Sequence, residues 1–227
     1  MLTPTYGAPR HVGFGALMSL ATTNLVFMWR QLLAYVVGVV LLAFALPLAG
    51  EEVGGIVGLA AYFAAQYWLF RTLLKARGLL DTARIHGFAF VGLAAMLIFP
   101  ILLGLGLVFL PGLFLVARWI AAPAFIVARG DNPVAAASAS WQAVRGHTGM
   151  MVGAITLAVI GISLVGGALG ALLREAGGAI ELAGFDGTTN PIDVIEAHFI
   201  PLVLFALSTA AYELLGPEDN SIEEVFG

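Results

Sequence analysis

The chain contains apolar runs of the length that a helix needs to cross a lipid bilayer. A hydrocarbon core of about 30 Å requires roughly 20 helical residues at about 1.5 Å each. The 227 residues are 60% hydrophobic and 11% charged, whereas soluble domains are about 45–50% apolar and about 25% charged. Such a chain cannot cover itself with polar surface. The sequence therefore predicts an all-α, polytopic membrane helical bundle.

The runs predict six transmembrane helices within residues 32–215, after a segment 1–31 and before an acidic tail 216–227. The apolar region from residue 87 to 127 would be about 60 Å long as one helix. We expect it to fold back at Pro111–Gly112, because proline resists helix continuation and glycine allows a turn. The predicted spans are Leu32–Leu48, Gly54–Phe70, Gly87–Leu110, Leu113–Ala128, Met150–Leu173 and Ile195–Leu215.

The basic residues outside these spans are distributed unequally. With six spans, all of them except Arg174 fall on the side that carries both termini, and the opposite side carries mainly carboxylates. Short cytoplasmic loops are enriched in Lys and Arg. The sequence therefore predicts that both termini are cytoplasmic.

Two segments on this cytoplasmic side have the pattern of amphipathic helices. The first has an apolar face that comprises Phe14, Leu17, Met18, Ala21, Leu25 and Met28. Its polar residues, Asn24 among them, are expected on the other faces. The second has a stripe of Val134, Ala137, Trp141 and Val144. Phe14 and Trp141 are candidate interfacial residues. We favour helices that dock on the inner end of the bundle, with partner binding as the alternative.

One stretch resembles a known family. Residues 110–140 read LPGLFLVARWIAAPAFIVARGDNPVAAASAS, with Pro111, Arg118, Pro123, Ser140 and the following Trp141 at matching places. The ending from Tyr212 to Gly227 matches loosely as well. This pattern resembles the bacterial family named for the membrane domain of glycerophosphoryl diester phosphodiesterase, with its YciC-like relatives.

The resemblance implies a six-span protein of the bacterial inner membrane. Most members of that family have no assigned activity. The phosphodiesterase in the name is a separate soluble domain that is fused to some members, so we do not expect that activity in these 227 residues.

Arg118 is the one charged residue in the apolar region from residue 87 to 127. A charge at the centre of a membrane helix costs about 2.5–3.5 kcal/mol on insertion scales. We predict that it pairs with Glu196, at the depth of the outer leaflet, in an intramembrane polar cluster that also contains Asp193 and His198. The cluster would act as a packing clamp or, as the alternative, would bind a substrate or a lipid phosphate.

Other chemistry is not indicated. The chain has no cysteine, which excludes disulfides and thiolate sites, and no basic cluster that would bind nucleic acid. The histidines lack metal-ligand spacing, and no catalytic or cofactor motif is present. Glycine pairs at Gly54 and Gly58, and at Gly166 and Gly170, are candidate helix-packing positions.

These observations predict a non-enzymatic membrane protein without cofactor. It would bind membrane lipids or another integral membrane protein, or form a homo-oligomer, in a structural, assembly or accessory role. The alternative is a transporter or permease component that moves a small or lipid-like substrate. Spans interrupted at Pro100 and Pro123, together with an intramembrane Arg118, favour this alternative. The small number of polar residues in the spans disfavours it.

Overall fold

The computed structural model of the protein describes residues 13–45, 50–107, 109–175 and 191–216. Within these ranges every regular element is an α-helix, which confirms the predicted all-α class for the described part. The helices are α1 Phe14–Phe27, α2 Trp29–Ala45, α3 Glu51–Ala76, α4 Gly87–Leu107, α5 Phe109–Trp119, α6 Ala122–Arg129, α7 Pro133–Ala143, α8 Thr148–Glu175 and α9 Pro191–Leu215.

Four of the described segments are long and apolar enough to cross a membrane. They are Val53–Ala76, Gly87–Leu107, Phe109–Arg129 and Thr148–Ala168, and they coincide with the second to fifth predicted spans. Of the first predicted span, residues 46–49 lie outside the described residues, and α2 covers the rest. The sixth corresponds to α9, whose side chains are described from Ile200 onward. These two spans remain predictions.

Helices α4 and α5 form a tight hairpin. The predicted turn at Pro111–Gly112 is wrong, because α5 already begins at Phe109 and both residues lie in its first turns. Proline is tolerated there, since the first turn of a helix needs no intrahelical N–H donor. A Cβ on Gly112 would lie 2.4 Å from the backbone nitrogen of Leu105. The absence of a side chain at Gly112 therefore allows the two helices to touch.

The loop after α3 folds back against its own helix. We predicted that the second span stops at Arg71, but α3 continues to Ala76. The Arg71 guanidinium donates hydrogen bonds to the carbonyl oxygens of Thr82, Ala83 and Arg84, at 3.2, 2.9 and 2.8 Å. These bonds satisfy both the cation and the loop backbone, so the helix can extend past the charge.

The ends of three helices meet at one place. Arg77, which follows α3, forms a bidentate ion pair with Glu213 in the last turn of α9, at 3.1 and 2.6 Å. The N–H groups of Asp81 and Thr82 donate to the carbonyl of Ala128 in α6. We call the region formed by residues 77–86, 128–132 and 212–216 the polar end of the molecule.

Helices α6 and α7 form an antiparallel hairpin at this end. Gly130 adopts φ 78° in the turn, and the Asn132 side chain accepts a hydrogen bond from the N–H of Ala135 and so caps α7. The buried face of α7 consists of Ala136, Ala137, Ser140 and Ala143. Of the predicted stripe, Ala137 and Val144 are buried, whereas Val134 is 68% exposed. Small residues allow close packing, and these small buried residues fit α7 docked on α6.

Helix α1 packs against α9 and continues into α2 after the single residue Met28. Its buried face contains Leu17 and Ala21, as predicted, but also Asn24. The amide of Asn24 donates to the carbonyl of Ala206 in α9 at 3.5 Å. This contact across the helix interface explains why the polar residue faces inward.

Candidate functional site: the Arg118 cluster

The span Phe109–Arg129 is broken in its second half. Helix α5 ends at Trp119 and α6 begins at Ala122, so Ile120 and Ala121 separate them. Pro123 lies at the second position of α6. Its ring lacks an N–H and clashes with the preceding turn, which interrupts a helix at this point. We call residues 120–121 the helix break.

Ser140 satisfies the backbone groups that the break exposes. Its hydroxyl accepts a hydrogen bond from the N–H of Ala121 at 3.1 Å and donates to the carbonyl oxygen of Arg118 at 2.9 Å. Ser140 and Ala121 are both 0% exposed. Unpaired backbone groups in a lipid or protein interior cost several kcal/mol, so this single side chain makes the break tolerable. It also fixes α7 against the end of α5.

The Arg118 side chain is held on the face of Trp141. Its guanidinium carbon lies 4.2 Å from the Trp141 ring centroid and 6.0 Å from that of Phe114. Trp141 directly follows Ser140, so the hydrogen bonds of Ser140 at the helix break also position the Trp141 ring. Such cation–π contacts contribute about 0.5–2 kcal/mol, more when desolvated. We call Arg118, Phe114, Trp141 and Thr148 the Arg118 cluster.

Arg118 is 7% exposed and donates to the hydroxyl of Thr148 at 3.3 Å. Its Nε is buried and has no hydrogen-bond partner among the described groups. Within the part of the chain that the structure describes, the ion pairs join Arg77 to Glu213 and Arg129 to Asp131, and neither includes Arg118. An aromatic face and a neutral hydroxyl supply no full counter-charge.

The predicted partners of Arg118 belong to α9. The side chains of Asp193, Glu196 and His198 lie outside the described residues. The pairing of Arg118 with Glu196 therefore remains a prediction. Sequence reasoning missed Thr148 and the platform role of Trp141, since neither carries a charge and both lie more than a few helical turns away along the chain.

The cluster also lies at the start of a long helix. Thr148 is the first residue of α8, which runs to Glu175. The N-terminal N–H groups of a helix lack intrahelical acceptors and carry a partial positive charge. Arg145, which is exposed, lies three residues before Thr148 in the chain. Three sources of positive potential therefore converge here.

The other predicted positions are distributed over the bundle. Gly54 is buried in α3 and Gly58 is partly buried, which is compatible with helix packing. Gly166 is partly buried in α8, and the surroundings of Gly170 lie outside the described residues. Phe14 is 42% exposed, and its ring lies near Gly153 of α8. None of these residues belongs to the Arg118 cluster.

A small cleft lies elsewhere, between α1, α2, α3 and α9. It has room for about one water molecule. Its lining is apolar except for Asn24, whose carbonyl oxygen is buried without a partner. In the described part of the chain, no three His, Asp or Glu side chains come together as a metal site would require.

We compared the chain with known proteins. No protein-family model, no curated protein and no solved structure matches it.

Proposed function

We propose that this chain is a non-enzymatic integral membrane protein that binds membrane lipid at the end where α8 begins. The observation that carries the proposal is the Arg118 cluster, in which a cation that is 7% exposed faces an aromatic ring and a hydroxyl group. Anionic lipid headgroups bind in basic pockets between membrane helices on the cytoplasmic side. A role as an accessory or assembly protein follows from such binding.

The proposal includes a topology. We infer six spans, in which α2 and α9 join the four apolar helices, with both termini cytoplasmic in a bacterial inner membrane. The resemblance of residues 110–141 to the YciC-like family and the excess of Lys and Arg in the loops near the polar end support this. In this arrangement the polar end and the start of α8 face the cytoplasm. Arg118, which contacts Thr148, then lies toward that side and not at the outer-leaflet depth expected from the sequence.

The topology can be tested with single cysteines, because the chain has none of its own. In intact cells, a membrane-impermeant maleimide should label Glu181→Cys and should leave Arg84→Cys unlabelled until the membrane is opened. The reverse pattern would invert the topology, and labelling of both residues in intact cells would contradict the three spans that we infer between them.

Lipid binding itself is tested by extraction in native lipid nanodiscs without detergent. We expect the purified protein to carry anionic phospholipid at a fraction above that of the surrounding membrane, as measured by mass spectrometry of the lipids. An unrelated six-span protein, extracted in parallel, gives the background. A lipid composition equal to that background would refute the proposal.

Transport is the second candidate, because a broken span beside a buried cation is typical of transporter sites. The packing around the break disfavours it. Ala121, Ala122 and residues 124–128 are all 0% exposed, and Ser140 rather than water satisfies the free backbone groups. A transport path would need a polar cavity at this depth.

Thiol labelling separates the two candidates. A water-soluble maleimide should fail to label Ala121→Cys at the break and should label Ser138→Cys, which lies on the exposed face of α7. Rapid labelling of Ala121→Cys that a solute protects would favour transport. The matched positions differ by burial and not by chemistry, so the comparison reports water access alone.

A further inference from the structure

We propose that the start of α8 and the Arg118 cluster form a binding site for a phosphate group, built by Arg118, Thr148 and the first backbone N–H groups of α8. This inference rests on the proposed lipid-binding function and names the chemical group that is bound. The shared chemistry is a phosphate oxygen, which either a lipid headgroup or free phosphate can supply.

The first step is the charge of the cluster. Arg118 is a permanent cation, 7% exposed, with its Nε buried and without a partner among the described groups. Trp141 and Phe114 cover its faces at 4.2 and 6.0 Å and leave the guanidinium edge to make hydrogen bonds. A guanidinium edge matches phosphate oxygens, and such charge-assisted bonds are roughly twice as strong as neutral ones.

The second step is the helix that begins beside it. The Nη1 of Arg118 lies 3.3 Å from the hydroxyl of Thr148, which opens α8. In the turn before α8, the N–H of His147 donates to the carbonyl of Val144. The N–H of Met151 donates to the carbonyl of His147. The N–H groups of Thr148, Gly149 and Met150 therefore point away from the helix body, as in helix-terminal anion sites.

The third step is access. Arg145, Gly146 and Gly149 are exposed, so an anion can approach the first turn of α8 from outside the bundle. Glycine at position 149 leaves the N–H groups uncovered, since nothing lies within 4 Å of its Cβ position. Arg145 adds a second, solvent-facing cation that attracts an anion toward the buried one.

Arg118 differs from Arg71 and Arg77 in how its donors are used. The Arg71 guanidinium donates hydrogen bonds to three loop carbonyls, and Arg77 is paired with Glu213. Arg118 combines burial, an unpartnered donor and a helix start, which together indicate a ligand. A phosphate in this position accepts from Arg118 and from the backbone at the same time. The Thr148 hydroxyl, which accepts from Arg118 and donates to the carbonyl of Val144 at 3.4 Å, positions the guanidinium beside the helix start.

Native mass spectrometry of the full chain in detergent tests this site. The probes are dihexanoyl phosphatidylglycerol, dihexanoylglycerol without phosphate, and inorganic phosphate. We expect phosphatidylglycerol to bind and the phosphate-free lipid not to bind. Arg118→Gln should weaken phosphatidylglycerol binding by about tenfold or more, because it removes charge-assisted bonds. Arg118→Lys should recover only part of it, since the fork of donors is lost.

Variants of exposed arginines test phosphate binding without disturbing the buried packing. Arg145→Gln should weaken binding by about two- to threefold and only at low salt. Arg84→Gln removes an equal charge from an exposed residue of the polar end and should leave binding unchanged. Helix content by circular dichroism must be the same for all variants that are compared.

The possible failures are distinct. If the wild-type chain binds neither lipid nor inorganic phosphate, the proposed function fails together with the site. If phosphatidylglycerol binds equally to the wild type and to Arg118→Gln, lipid binding stands and this site is refuted. Binding of inorganic phosphate alone, lost in Arg118→Gln, supports the phosphate site and refutes the lipid as its source. A gain of phosphate affinity in Glu196→Gln would show that a carboxylate already occupies Arg118 and would overturn the inference.

Discussion

Two consecutive candidate spans have opposite surroundings. In the span Phe109–Arg129, 61% of the most apolar stretch is buried inside the protein, whereas the figure is 17% for Gly87–Leu107. These spans are consecutive and packed against each other, so their position along the chain does not account for the contrast. The difference lies in which residues each span contains.

The buried span has small side chains at many of its packed positions, beside Phe125, Ile126 and Val127, which are also 0% exposed. Ala121, Ala122, Ala124 and Ala128 are 0% exposed, and α6 packs against α7, whose buried face consists of three alanines and Ser140. The exposed span carries bulky groups on its outer surface, and Phe88, Ile98, Phe99, Leu102 and Leu107 are 57–96% exposed. In a membrane, lipid tails solvate bulky apolar groups as well as a protein does, so small residues mark the helix contacts. Hydropathy alone therefore identifies a span but not its neighbours.

Replacing one phenylalanine in each region gives the largest expected effect. Phe125 is 0% exposed and packs edge-to-face on Tyr212 at 5.0 Å, whereas Phe99 is 72% exposed. Phe125→Ala should lower the free energy of unfolding by about 3–5 kcal/mol through the cavity that it leaves. Phe99→Ala should change it by less than about 0.5 kcal/mol. Reversible unfolding in mixed SDS micelles measures both values, and equal losses would refute the contrast.

The sequence predicted the helices better than their contacts. The second to fifth spans were placed within a few residues, because a long apolar run in lipid has no alternative to a helix. The turn near Pro111 was misplaced because proline permits both the end of one helix and the start of the next. Asn24 was assigned to the wrong face, because its acceptor, the carbonyl of Ala206, is 182 positions away in the chain.

The candidate site was predicted in part. Arg118 was singled out from its charge within an apolar span, and its burial agrees with that expectation. The search for a partner considered carboxylates, whereas the contacts that the structure describes are an indole ring, a phenyl ring and a hydroxyl group. Periodicity within one helix carries no information on such contacts between helices. Ser140 belonged to the family-like pattern, but only the packing of α7 on the break reveals its role.

Replacing Ser140 tests whether the helix break is a packed interior. Ser140→Ala leaves the N–H of Ala121 and the carbonyl of Arg118 without their buried partner. We expect the free energy of unfolding to fall by about 2–3 kcal/mol, because each unsatisfied buried group costs about 1–3 kcal/mol and local relaxation recovers part of it. Thermal unfolding in detergent, followed by circular dichroism, measures the loss.

Ser138→Ala is the matched control for Ser140→Ala. Ser138 lies on the exposed face of the same helix and accepts one hydrogen bond, from the side chain of Gln142 at 3.3 Å. Its removal should change stability by less than about 0.5 kcal/mol. If Ser140→Ala behaves like this control, water or another group must reach the break, and the packed interior inferred for this span would be incorrect.

The smallest effect is expected where the polar end faces water. Arg77 and Glu213 form a bidentate pair at 2.6 Å, but their side chains are 26% and 29% exposed. Water screens the attraction between such groups, so a double-mutant cycle with Arg77→Gln and Glu213→Gln should give a coupling energy of about 0.5–1 kcal/mol. The coupling should decrease further at about 1 M salt, where the screening length falls to about 3 Å. A coupling above about 3 kcal/mol that salt does not change would mean that this rim is as enclosed as the helix break. The ion pair would then be a main connection that holds α9 to the rest of the polar end.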